Sequence, residues 1–426
     1  MNIARGWFTT TLLALSLAAP ACSPDDSSEG GDDAFTSTTA TLLDFEFDGE
    51  VIAADLLDAK QAVRSQLFFT VGQLNAKDSV GRIELAEVSI TSRDASTIRY
   101  HAKLPVAWGS KTNLPTRYEL ILPRDLRNPG AFATRYRSKC AVPGDDGSHD
   151  YWFEYRPETA GCEFDSADVV RAKATVKRSS LNTQGRYPEY HRVWEDDRFE
   201  SVAIFGKDRE GNMGSDPGTS NFNEYIRRLR NELRGANITT TPANIGSAPG
   251  PNLRDVTIEA TFPDGREVKA TVFLLDAMRS PWSGFTTRYS SVTPTADFIA
   301  YNGHAGLGGN IQALAKMGKW NRDQYLLFFM NGCDTFAYVD GTLAKARGAG
   351  GADDPNGTKN LEFVTNAKPS YFSDNVDSTI GLFHGLLSTE RPQSYEQMLE
   401  DLPQAGIVVV NGEEDNVFKP GMRVRP

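Results

Sequence analysis

The chain holds four cysteines and five histidines, and one of each closes an apolar run. The run Asp-Phe-Ile-Ala-Tyr-Asn-Gly-His-Ala-Gly from Asp297 to Gly306 carries His304 near its end. The run Tyr-Leu-Leu-Phe-Phe-Met-Asn-Gly-Cys-Asp-Thr from Tyr325 to Thr335 carries Cys333. A thiol with an ordinary pKa of about 8.5 is a poor nucleophile until it loses its proton. A neighbouring imidazole can take that proton, so the pair suits acyl transfer through a thioester. Gly306 and Gly332 allow close backbone approach to a substrate. The backbone N–H groups of Ala305 and Cys333 can then face a developing oxyanion. A helix expected from Thr335 to Ala346 would place its N-terminus beside Cys333 and favour the thiolate.

Short apolar runs closed by small residues read as buried strands. Sites in open α/β sheets lie beyond the carboxyl ends of such strands. From about residue 195 strands and helices alternate. Glu200 to Gly206 reads as a strand. Phe222, Tyr225, Ile226, Leu229 and Leu233 form one helical face, with Asn221 and Glu224 as a cap pair and Gly235 as the stop. Asp255 to Phe262 and Glu267 to Leu275 flank Pro-Asp-Gly-Arg, a hairpin signal. A short helix from Asn310 to Met317 separates the His304 and Cys333 strands. A strand over Leu361 to Thr365, a helix over Asn375 to Leu387, a capping box at Ser394 and Gln397, and a strand over Ala405 to Val410 complete the rhythm. Residues 195–426 therefore read as an α/β domain, a mostly parallel sheet with helices on both faces.

Residues 43–190 read differently. Leu43, Phe45 and Phe47 alternate, and similar runs cover Gln66 to Val71, Ile83 to Ile90, Thr97 to Leu104, Arg117 to Leu122 and Val169 to Val176. Turn residues separate them, which predicts an N-terminal all-β sandwich or barrel. His101, in one of these strands, and His149, in a Gly/Asp-rich loop, read as structural or incidental.

The pattern of apolar strand, Gly303-His304-Ala305-Gly306, spacer, second apolar strand and Asn331-Gly332-Cys333-Asp334-Thr335 resembles the caspase, gingipain and separase superfamily of cysteine peptidases. The resemblance covers residues 195–426. It implies a caspase-like sheet, Cys333 as nucleophile and His304 as the group that protonates the leaving amine. Ala305 stands where the family carries glycine, and the spacer between His304 and Cys333 is short for it.

Residues 1–21 read as a signal peptide, with Arg5 before the apolar stretch Trp7 to Ala19. Leu17 to Cys22 resembles a bacterial lipobox, which makes Cys22 the lipidated first residue; cleavage by an ordinary signal peptidase is the alternative. Residues 22–42, rich in Ser, Asp, Gly and Thr, read as a disordered acidic tether. In an oxidising compartment Cys140 and Cys162 most simply pair, leaving Cys333 as an inert or a reactive thiol.

Net charge is −11, which gives no electrostatic reason to bind nucleic acid. No Gly-x-Ser-x-Gly elbow is present. His304, His384 and Cys333 lack compact zinc-ligand spacing, so no metal or other cofactor is expected. Asp353 to Gly357 and Asn411 to Asn416 read as acidic surface loops rather than calcium sites. Two functions compete. One is an envelope-tethered cysteine endopeptidase, periplasmic or on the cell surface, acting on peptide or protein substrates through Cys333 and His304. The other is a non-catalytic surface lipoprotein that uses the same scaffold for binding. Either would reach the membrane through a lipid at Cys22.

Overall fold

A computed structural model describes residues 34–54, 58–145, 147, 149–209, 215–276, 278, 281–348, 354, 357–403 and 407–425. The signal peptide, Cys22 and the start of the tether lie outside these residues, as do Asp353 and Ala405.

The strands are β1 (Phe35–Thr36), β2 (Thr41–Ile52), β3 (Val80–Gly81), β4 (Glu87–Asp94), β5 (Thr97–Trp108), β6 (Arg117–Pro123), β7 (Val169–Arg178), β8 (Arg198–Gly206), β9 (Asn237–Thr241), β10 (Asp255–Thr261), β11 (Glu267–Leu275), β12 (Phe298–Asn302), β13 (Leu326–Asn331), β14 (Leu361–Asn366) and β15 (Val408–Asn411). The helices are α1 (Ala59–Leu67), α2 (Phe69–Asn75), α3 (Pro129–Tyr136), α4 (Tyr151–Glu154), α5 (Tyr190–Val193), α6 (Pro217–Glu232), α7 (Phe285–Val292), α8 (Gly309–Met317), α9 (Thr342–Ala346), α10 (Asn375–Leu387) and α11 (Tyr395–Glu400).

Two sheets result. The larger has nine strands in the order β1-β15-β14-β13-β12-β8-β11-β10-β9. Its middle strands, β11, β8, β12, β13 and β14, are parallel, and antiparallel strands close both edges. Every residue of β12 and β13 is buried, as two-sided cover of a parallel sheet requires. Ile299 and Tyr301 face a layer with α7, α8 and α9, while Phe298 and Ala300 face α6, α10 and α11.

The smaller sheet is antiparallel, with order β3-β5-β2-β7-β6 and β4 beside β5. Leu43, Phe45 and Phe47 are buried on one face, as their alternation predicts. The core on this side takes in residues of α1 and α2 and reaches the large sheet. The stretch from Gln66 to Val71, expected as a strand, belongs to α1 and α2. Val63, Leu67, Val71 and Leu74 repeat at helical spacing and are all buried, and the Asp58 side chain caps α1 by accepting from Gln61 N at 2.9 Å. Buried Gln66 donates to Pro123 O at 2.6 Å and accepts from Tyr100 Oη at 2.6 Å, tying α1 to the sheet. Ile83 to Leu85 form a 3-10 turn rather than the start of β4.

The tether also ends earlier than expected. Phe35 and Thr36 pair with Asn411 and Val410 at the edge of the large sheet, and Phe35 is buried with its ring 5.9 Å from that of Phe336. One continuous core therefore joins the small sheet, its helices and one face of the large sheet. Helix α6 starts at Pro217 with Asp216 as its cap, accepting from Thr219 N at 3.1 Å, rather than at Asn221. Asn221 instead donates to Phe372 O at 2.7 Å.

Candidate active site

Strands β12 and β13 are parallel neighbours, with Asn302 opposite Asn331. His304 and Cys333 each follow two residues later, so both emerge at one level of one sheet rim. Adjacent strands lie about 4.8 Å apart. Three buried amides hold the strand ends level. Asn331 Nδ2 donates to Asn302 Oδ1 at 2.9 Å, and Asn366 Nδ2 on β14 donates to Asn331 Oδ1 at 3.0 Å. Thr379 Oγ1 from α10 donates to Asn302 Oδ1 at 2.8 Å. Gly332 is sterically required: a Cβ there would stand 2.8 Å from Gly303 O and 3.2 Å from Ala305 N.

The His304 loop is pinned through its own carbonyl, which accepts from Tyr301 Oη at 2.9 Å and Asn310 Nδ2 at 2.6 Å. The half-exposed imidazole has Nε2 at 3.4 Å from Asp208 Oδ1. Its other neighbour is Phe372, edge-on at 5.6 Å between ring centres. Asp208 lies just past β8. Strand β8 sits between β11 and β12: the chain leaves it through α6 toward β9, β10 and β11, then returns through α7 on the other face to β12, and such a reversal opens a crevice at the carboxyl ends of the strands. Asp208 had no sequence signal, because only the strand order brings it to His304.

Cys333 is the free cysteine among the described residues, while Cys140 and Cys162 form a disulfide with Cα atoms 5.0 Å apart. The Cys333 thiol donates weakly to Ser370 O at 3.6 Å. Ser370 and Phe372 belong to one short segment, so it touches both candidate residues. Burial, and secondly the neighbouring Asp334 carboxylate, push the thiol up to about 11. The resting group is therefore a neutral thiol. The expected helix after it does not form. Thr335 to Ala337 make one 3-10 turn, and α9 begins only at Thr342, where Asp340 accepts from Thr342 N at 3.0 Å. Among the described residues no α-helix begins directly after Cys333. Thr335 instead bolts the loop down, donating to Met330 O at 2.7 Å and accepting from Asn366 N at 2.9 Å.

Asp334 is fully buried with a left-handed backbone, φ 52°. Its Oδ2 accepts from Asn75 Nδ2 on α2 at 3.2 Å. Burial raises its carboxyl to about 7, against the opposing influence of Asn75 and Arg156.

His304, Ala305 and Cys333 line one cavity of about 950 Å³ at the rim of the large sheet. Its other wall comes from the N-terminal half and includes His149, which pairs with Glu154 at 3.1 Å. His149, expected to be structural or incidental, therefore shares a cavity with Cys333. His101 and His384 lie elsewhere, paired with Asp48 at 2.9 Å and Glu232 at 2.8 Å. Glu413, expected in a surface loop, is buried and accepts from Thr183 Oγ1 at 3.0 Å. Among the described residues no three His, Cys, Asp or Glu side chains gather as a metal site, and no helix is long and apolar enough to cross a membrane.

No family model, no curated protein and no solved structure matches this chain.

Proposed function

We propose that the chain is a cysteine endopeptidase of the caspase, gingipain and separase kind, with Cys333 as nucleophile and His304 as general base and acid. One observation carries the reading: adjacent parallel strands in the register Asn302–Asn331 deliver His304 and Cys333 to one cavity. Asp208 beside His304 adds a third group that can orient the ring and stabilise its charged form.

The chemistry follows from these groups. His304 takes the thiol proton as sulfur attacks the scissile carbonyl carbon. The carbonyl π electrons move to oxygen, where the N–H groups of Ala305 and Cys333 are the candidate donors. Collapse breaks the C–N bond, and His304 gives its proton to the leaving amine. The thioester is then hydrolysed by water, whose proton His304 accepts and returns to sulfur. A thiol raised to about 11 rests protonated, so base catalysis must accompany attack.

The same half-buried thiol, raised to about 11, favours a second reading, an exported binding protein with an inert Cys333. The two separate on labelling. Peptidyl electrophiles are expected to label the wild type and not Cys333→Ala, and absence of labelling across varied peptides would leave the binding protein. The lipobox-like segment supports export and a lipid anchor at Cys22 for either reading.

A further inference from the structure

We propose that the cleft beside Cys333 selects a bulky apolar side chain, aromatic or branched aliphatic, next to the scissile bond. The inference deepens the peptidase reading and rests on it for the word scissile. The cleft's chemistry is independent of that reading.

Six rings line the cavity: Phe68 and Phe69 at the α1–α2 junction, Tyr151, Trp152 and Phe153 on α4, and Tyr338 from the Cys333 loop. Three of them interlock across the two halves of the protein. Phe68 lies 5.1 Å from Trp152 and 6.4 Å from Tyr338, and Trp152 lies 6.4 Å from Tyr338. Aromatic walls reward insertion of a large apolar group through area burial and edge-to-face contact. The volume, about 950 Å³, falls in the range of ligand sites, roughly 300–1,000 Å³, and exceeds what one side chain fills. It therefore has room for the selected side chain and its neighbours in the peptide.

Leu307 extends this surface. It is 49% exposed, lines the same cavity, and holds a left-handed backbone, φ 53°. An exposed leucine in a conformation disfavoured for branched residues is a strained feature, and such strain concentrates at functional sites.

The charged groups of the cleft are largely engaged. Arg137 pairs with Asp145 at 2.6 Å, donates to His149 O, and stacks over Tyr151 at 5.5 Å. It is thus poorly placed to read an acidic substrate. His304 and His149 each have a carboxylate partner. Asp150 at the exposed rim is the lining carboxylate that a basic substrate would need.

The test uses a quenched-fluorescent peptide library on the folded chain, with cleaved bonds mapped by mass spectrometry. Cleavage beside Phe, Tyr, Trp or Leu is expected to exceed cleavage beside Ala by at least about tenfold, the scale of apolar pocket discrimination. Phe68→Ala is expected to shrink that ratio. In parallel, blocked peptides are titrated onto Cys333→Ala, followed by tryptophan fluorescence, with Phe-containing peptides expected to bind and Ala or Lys versions not. Preference for Lys or Arg, or no preference, overturns the proposal. If nothing is cleaved or labelled but the Phe peptide still binds, the peptidase reading falls and the apolar cleft stands. If neither occurs, both fall.

Discussion

Asn75 Nδ2 on α2 donates to Asp334 Oδ2 at 3.2 Å, and Asp334 directly follows Cys333. The contact fastens the N-terminal half to the loop that carries the thiol. Asn75 Oδ1 and the second carboxylate oxygen, Asp334 Oδ1, are both buried and accept no hydrogen bond. A proton on Asp334 would relieve that, which agrees with a carboxyl raised to about 7 by burial.

A carboxyl held above its ordinary 3.8 binds its proton more tightly in the folded state. Its stabilising effect is complete below pH 4 and is lost as pH rises through about 7. Glu413, also raised to about 7 by burial, acts in the same direction. Asp334→Asn removes the first of these effects and keeps the bond from Asn75, and asparagine tolerates the left-handed backbone. We expect the variant to match the wild type near pH 5 and to exceed it at pH 8 by on the order of 3 kcal/mol. Urea unfolding at the two pH values measures this. The variant should also alkylate at Cys333 at lower pH, because one cause of the raised thiol pKa is gone; a Cys22→Ala background restricts the readout to that thiol.

Asp208→Asn tests the group behind His304. The 3.4 Å contact is partly exposed, so its loss should barely change stability. Under the peptidase reading, kcat/KM should fall roughly tenfold to a hundredfold, at the low end of acid–base contributions. An unchanged kcat/KM would reduce the site to Cys333 and His304 alone.

Gly332→Ala should disrupt the site through backbone crowding. Its Cβ would meet Gly303 O at 2.8 Å, whereas Gly309→Ala, in the same region, meets nothing within 4 Å. We expect a loss of about 1–3 kcal/mol for the first and little for the second. Equal thermal midpoints for the two variants would show that the His304 loop yields easily.

The local features of this fold were legible where one element carries its own signal. Helix α10 spans the Asn375–Leu387 read from its apolar period, and the Pro-Asp-Gly-Arg turn joins β10 to β11 as an antiparallel hairpin. Ser394 and Gln397 form the capping box. Non-local features escaped. The stretch around Gln66 looked strand-like because its apolar residues are contiguous, yet the helical period of Val63, Leu67, Val71 and Leu74 decides its burial. Phe35 gains its place from distant partners, pairing with β15 almost the whole chain away and bridging to Asn182. Asp208, the Asn302–Asn331–Asn366 ladder and the aromatic cleft all depend on strand order or on contact between the two halves of the chain. His304 and Cys333 were legible because each ends a strand, and neighbouring parallel strands end at the same rim.

The lipid anchor has a direct measurement. Cys22→Ala should move the expressed chain from the membrane fraction to the soluble fraction. Retention of the variant in the membrane fraction would leave an uncleaved signal segment or another contact as the anchor.

The Cys140–Cys162 disulfide closes the segment that carries Tyr151, Trp152 and Phe153 to the cleft wall. That segment is short of regular structure: α4 has four residues, and residues 137–145 hold turns and a single bridge. Aromatic contacts then hold it, with Tyr151 packed at 6.0 Å from Phe132 and 5.6 Å from Tyr155. Replacing both cysteines with alanine should cost about 2–4 kcal/mol, chiefly by freeing the unfolded chain. The loss should not be uniform. The α3–α4 wall relies on the crosslink, while the large sheet has a second core on its other face, so amide exchange should rise first around Trp152 and stay slow in β12 and β13. Uniform exchange across both would mean that the two sheets unfold as one unit, as their shared core permits.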